Sequence, residues 1–152
     1  MIKVLHTGDI HLDSPFSGLS PDRAELRRAE LRSAFTSMMT YARTGDIDIV
    51  LVTGDLFESR YITRETAELV TGEFSRVGCP VIVSPGNHDP ATSDSPYLTV
   101  DWPENVYIFR KGLEALELSY EDTGETVRVY GAGFQGHFSR NSLLRHNNTL
   151  PI

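Results

Sequence analysis

The chain contains one cysteine, Cys79, so no disulfide can form within it. A lone thiol with no pairing framework fits a reducing compartment, and the cytoplasm is the expected location. No apolar run approaches the roughly 20 residues that a membrane span needs. The opening residues, Met1 to His6, carry neither a long apolar region nor a small-residue cleavage site, so no secretory leader is expected. Positive charge is scarce as well. Fourteen Lys and Arg stand against 21 Asp and Glu, a formal charge of −7. Duplex binding rests largely on Lys and Arg neutralising phosphates, so this is a poor composition for a general nucleic-acid binder. Contact with DNA would be local or shared with a basic partner. Carboxylates that hold metal ions would cancel only part of the excess.

What is present is enough for one folded domain: 152 residues, 39% of them hydrophobic. Strand and helix alternate. Residues 2–7 form a short apolar run suited to a buried strand. Ser20-Pro21 reads as a helix N-cap followed by proline in the first turn. Leu31, Phe35, Met38 and Ala42 then recur at helical spacing. Arg23, Arg27, Arg28 and Arg32 lie among acidic residues and read as a solvated face, with a phosphate-binding stripe as the alternative. Gly45-Asp46 breaks the helix. Residues 47–53 are a branched apolar run of the kind found in parallel sheets covered on both faces. A second helix is expected over residues 63–76, with Ala67, Val70, Phe74 and Val77 on one stripe and Gly78 as its stop. Residues 80–84 form a third buried strand and 106–109 a fourth. Residues 113–120 and 126–130 flank a turn and predict a hairpin. The fold class is α/β, a β-α-β-α-β unit followed by strand-rich material. Residues 145–152 show no periodicity and close no element.

The informative polar residues sit where these strands end. The first strand runs into Gly8-Asp9-Ile10-His11, the second into Gly54-Asp55, and the third into Gly86-Asn87-His88-Asp89. Open α/β sheets place their sites beyond the carboxyl ends of strands, so parallel neighbours would bring these loops together. Asp offers hard anionic oxygen, His a nitrogen and Asn a neutral carbonyl. Such mixed sets suit manganese, iron or zinc better than calcium. Alternation along an extended Asp9-Ile10-His11 would point both polar side chains one way and Ile10 toward the core. Two such ions about 3.5–4 Å apart can stabilise the attacking and leaving oxygens of phosphoryl transfer.

In this order, at these strand ends, Asp9-x-His11, Gly54-Asp55 and Gly86-Asn87-His88-Asp89 resemble the first three motifs of the calcineurin-like metallophosphoesterases. The run His6-Thr7-Gly8-Asp9-Ile10-His11-Leu12-Asp13-Ser14-Pro15-Phe16, with Gly54-Asp55-Leu56-Phe57, is more specifically similar to SbcD-type bacterial DNA-repair exonucleases. The resemblance covers about residues 1–135. It implies the N-terminal part of a four-layer sandwich, two facing sheets with helices outside. It implies that Asp9 and His11 bind a first metal ion, that Asp55 bridges two ions, and that Asn87 binds the second. His88 would face the scissile phosphate as a catalytic group, stabilising charge or protonating the leaving oxygen, and Asp89 would orient it. The implied activity is hydrolysis of DNA phosphodiesters. Manganese is the implied ion, with iron or zinc as alternatives. The implied partners are DNA and an SbcC-like ATPase, with no membrane.

The sequence departs from this pattern at two places. The nuclease branch often carries a histidine shortly after the bridging aspartate, and here that position is Glu58. A carboxylate there would repel a substrate phosphate unless protonated, turned away or metal-bound. The family also takes ligands from later loops, a lone histidine and a Gly-His-x-His pair, whereas Gly136-His137 is followed by Phe138-Ser139. His137 and His146 are therefore read as surface or loop histidines, and His6 as a packed or hydrogen-bonded one. The expectation is a single, truncated domain over residues 1–152 that holds one ion well and a second weakly, and that self-associates through an exposed sheet edge. Two other functions compete with the nuclease: a phosphatase or phosphodiesterase for small molecules or proteins, and a catalytically inactive fragment or binding module.

Overall fold

The computed structural model describes residues 1–140 and Ser142; His146 and the run 145–152 lie outside the described residues. Four strands form a parallel sheet in the order β1 (Val4–Thr7), β2 (Ile49–Thr53), β3 (Val81–Ser84), β4 (Val106–Ile108). Helices α1 (Pro21–Thr44) and α2 (Arg64–Arg76) make the crossovers β1–β2 and β2–β3, and a short α3 (Pro96–Thr99) precedes β4. A sheet that grows in one direction through same-handed crossovers collects its helices on one face. The antiparallel hairpin β5 (Glu114–Tyr120) and β6 (Glu125–Gly131) covers the other. Among the described residues the layers are helices, parallel sheet and hairpin.

Strand alternation explains why β2 and β3 are apolar up to their last residues, Thr53 and Ser84. Val50, Val52, Val81 and Val83 point to Phe35, Met39, Val70 and Phe74 of the helices. Ile49, Leu51 and Ile82 point the other way, to Leu116, Leu118, Val127 and Val129 of the hairpin. With both faces covered, these positions are apolar on either side of the sheet. β1 differs from the buried strand that its sequence suggests. Among the described residues it lies at the sheet edge, outside the hairpin's cover; Val4 is 48% exposed and His6 is exposed, hydrogen-bonded through Nε2 to Thr53 Oγ1 at 2.8 Å. The helix starts also differ from one another. Thr63 caps α2 by accepting from Thr66 N at 3.2 Å, while Ser20 holds the N-cap position of α1 without a side-chain bond.

Arg27, Arg28 and Arg32 of α1 form ion pairs. Arg27 meets Glu30 and Arg28 meets Glu25, each at 2.6 Å, which fits the solvated face. Arg32 has a structural partner, Asp13, 2% exposed in the loop after β1. Asp13 Oδ1 accepts from Arg32 at 3.0 Å and from Thr66 Oγ1 at 2.9 Å. Its Oδ2 accepts from Thr63 N at 2.8 Å and Thr63 Oγ1 at 3.1 Å. One carboxylate thus ties the first loop to α1 and to the start of α2. Asp13→Ala strands several donors at once and is expected to lower the unfolding free energy by about 2–3 kcal/mol in urea titration. An unchanged midpoint would remove Asp13 from this role.

Candidate metal centre

The loops after β1, β2 and β3 meet at one end of the sheet. The first two are zipped by backbone bonds: Asp9 N to Gly54 O at 3.1 Å, Ile10 N and His11 N both to Asp55 O at 2.9 Å, and Leu12 N to Leu56 O at 2.9 Å. The Asp9-Ile10-His11 segment is not extended, as alternation suggests. Asp9 and His11 have φ of 53° and 51°, and Asp55 has 52°. Left-handed backbone is uncommon outside glycine, and Asp and His are among the residues that tolerate it best. The paired amides hold this curl in place. Ile10 still packs toward the core, and Asp9 and His11 still meet, with His11 Nε2 3.7 Å from Asp9 Oδ1.

His11 Nε2 is also 3.9 Å from Asp55 Oδ2. These separations are too long for hydrogen bonds. They fall within reach of one shared ion, since metal–oxygen and metal–nitrogen bonds run about 2.0–2.2 Å. Asp9, His11 and Asp55 form one group with donor atoms mutually within 4.8 Å. Two carboxylates and an imidazole fit a divalent ion of the manganese, iron or zinc type. Asp55 Oδ1 accepts from His88 N at 2.9 Å, which fixes the third loop against the second. Asn87 is exposed on that loop, between Gly86 and His88.

Asp89 takes a different position from the one the motif implies. Asp89 does not hold the His88 ring. It is fully buried and turned inward, accepting from Gly86 N at 2.7 Å and Asp55 N at 3.1 Å on Oδ1. Its Oδ2 accepts from Phe57 N at 3.0 Å and Tyr97 Oη at 2.5 Å. Burial is the largest influence on Asp89 and raises its carboxyl above the usual range; Tyr97, Phe57 and Gly86 pull it down, and Asp55 pushes it up. A carboxyl raised in the folded state adds most stability below its unfolded value and loses that as pH climbs through the folded one. Burial thus works against the charged form of Asp89, and its hydrogen-bond donors work for it.

The partner of the His88 ring is Glu58. Glu58 Oε2 lies 3.0 Å from His88 Nδ1 and 3.5 Å from His11 Nδ1. Its side chain is 17% exposed and faces the two rings. The sequence marks position 58 as a departure from the nuclease pattern but carries no signal of this double contact, because Glu58 is 30 residues from His88. Tyr97, which closes the cage behind Asp89, has no such signal either; an aromatic in an irregular stretch reads as ordinary core. His137 is an exposed loop histidine, yet its Nδ1 is 2.8 Å from the Asn87 carbonyl, so it sits beside the third loop.

The chain belongs to the calcineurin-like phosphoesterase family, whose model matches residues 2–150. It is 29% identical over 138 residues to the "Uncharacterized metallophosphoesterase YhaO" of Bacillus subtilis (strain 168), covering 86% of this chain and 33% of that one. It is 32% identical over 105 residues to the "DNA double-strand break repair protein Mre11" of Aeropyrum pernix, covering 66% of this chain and 24% of that one. It is 29% identical over 91 residues to a subunit of the nuclease SbcCD of Escherichia coli (strain K12), covering 58% and 21%. The chain spans about a third or less of the length of these relatives. Among the described residues no helix is long and apolar enough to cross a membrane.

Gly86 is the tightest point of the centre. A Cβ there would overlap Asp55 Oδ1 and lie 2.5 Å from Asp55 N. Gly86→Ala must displace Asp55, and its affinity for Mn²⁺ by calorimetry is expected to fall at least about tenfold, the scale seen when a ligand's support is lost. Wild-type affinity would show that Asp55 is not a ligand.

Proposed function

We propose that this chain is the metal-binding part of a phosphodiester hydrolase of the DNA-repair nuclease type, with manganese as the activating ion. The observation that carries the reading is the convergence of Asp9, His11 and Asp55 on one point, with the His88 ring 4.7 Å from His11. The names of two relatives, a nuclease and a double-strand break repair protein, support DNA as the substrate. Asp9 and His11 would hold a first ion, Asp55 would be shared with a second, and Asn87 would serve that second ion. Ions held there would polarise a phosphoryl oxygen and activate water for attack.

His88 is the group assigned to the substrate. Glu58 takes its Nδ1 side, which leaves Nε2 free to stabilise charge on the phosphate or to protonate the leaving oxygen. This pairing also bears on the objection to a carboxylate at position 58: its Oε2 faces the imidazoles of His88 and His11. Asp89 acts by positioning, holding the Asp55 and Gly86 backbones together. The acidic composition fits substrate contact concentrated at the centre, with a basic ATPase partner supplying wider DNA affinity.

His88→Asn is expected to lower kcat on a phosphodiester by about 10²–10⁴-fold while leaving Mn²⁺ affinity within a few-fold. Assays on single- and double-stranded DNA beside a small phosphodiester separate a nuclease from a small-molecule enzyme. Undiminished turnover by the variant would remove His88 from catalysis. Preference for the small ester would replace DNA as the substrate. The open edge of β1, with Val4 exposed, also supports self-association by strand pairing. Light scattering should show a dimer, and a monomer across the micromolar range would refute this.

A further inference from the structure

Beside the Asp9–His11–Asp55 group lies a second set of donors that shares one residue with it. One donor atom from each of His11, Glu58 and His88 lies within 4.8 Å of the other two. The two imidazole rings stand at 88° with centroids 4.7 Å apart, and the Nδ1 atom of each faces the same oxygen, Glu58 Oε2, at 3.5 Å and 3.0 Å. Zinc binds imidazole nitrogen and carboxylate oxygen at about 2.0–2.1 Å, so neighbouring corners of its tetrahedron are about 3.3–3.4 Å apart. The two observed spacings bracket that edge. Two histidines, one carboxylate and an open fourth position make a known zinc donor set. The three side chains are 29%, 17% and 45% exposed, so an ion from solvent can reach them.

We propose that His11, Glu58 and His88 form a separate, inhibitory site for Zn²⁺. Both donor sets need His11, and a neutral imidazole has one lone pair to give because its other nitrogen carries the proton. With Nε2 committed to an ion at Asp9 and Asp55, Nδ1 keeps its proton and faces Glu58 as a hydrogen-bond donor. With Nδ1 committed to zinc, Nε2 is lost to the first set. The two sites therefore exclude one another. Manganese favours the oxygen-rich set, and zinc, better suited to imidazole, favours the nitrogen-rich one. Zinc there also occupies His88. It withdraws a ligand and the substrate-facing ring together. The inhibitory consequence rests on the hydrolase reading above; the site itself does not.

The test is calorimetric titration of the metal-free full chain with Zn²⁺ and with Mn²⁺, comparing wild type, Glu58→Gln, His88→Asn and Asp9→Asn, with thermal melting to confirm that each folds. Glu58→Gln and His88→Asn should each weaken zinc at least about tenfold, and Asp9→Asn should weaken manganese by that factor while leaving zinc within about threefold. Zinc binding that is unchanged in His88→Asn, or lost in Asp9→Asn, overturns the proposal. Micromolar zinc should also slow Mn²⁺-supported phosphodiester hydrolysis, and His88-dependent zinc binding without such slowing refutes the inhibitory role. If no phosphoester is turned over but zinc binding depends on Glu58 and His88, the site stands and the hydrolase reading falls.

Discussion

The centre depends on one buried carboxylate that touches no substrate. Asp89 collects the amides of Asp55, Phe57 and Gly86 and the hydroxyl of Tyr97. Those donors come from two different loops and from α3. Without an acceptor between them they would be buried and unpaired, at a cost of about 1–3 kcal/mol each. With it, the loops after β2 and β3 become one rigid unit, and Asp55 is held where His88 N can bond it. Burial and the neighbouring Asp55 both oppose the charged form, and the converging donors favour it.

The first loop is attached to that unit by backbone and by a second buried carboxylate. Asp9, His11, Asp13 and Asp55 all take left-handed backbone conformations, which the paired amides across Gly54 to Leu56 sustain. Such conformations cost about 1–3 kcal/mol each and persist where their surroundings over-determine them. Here they curl the loop so that His11 presents Nε2 to Asp9 and Asp55 and Nδ1 to Glu58. Asp13 then anchors the far side of the curl to α1 and α2. Negative charge is concentrated at this end of the sheet, and it suits divalent cations far better than it suits a bare phosphate.

Much of this is legible in the residues. The continuous apolar runs of β2 and β3 announce a sheet covered on both faces, and the helical stripes of Phe35 and of Val70 and Phe74 announce what covers one of them. Asp9, His11 and Asp55 can be grouped because each follows a strand, and parallel strands carry their ends to a common edge. β1 reads wrongly as buried because its apolar letters are the same whether a neighbour covers them or not. Its place at the end of the strand order, and whether a hairpin more than 100 residues later covers its face, are not written in those letters.

The sequence by itself determined the strand ends, the donor types placed there and the family to which they belong, because these depend on local pattern and on order along the chain. Only the tertiary structure decided what each polar group touches. Asp89 follows His88 directly, and adjacency suggests that it steers that ring. Instead the backbone turns Asp89 into the core and gives the ring to Glu58, from a different loop. Side-chain partnership is set by where loops meet in space, where a contact at 3.0 Å can join residues 30 apart and neglect immediate neighbours.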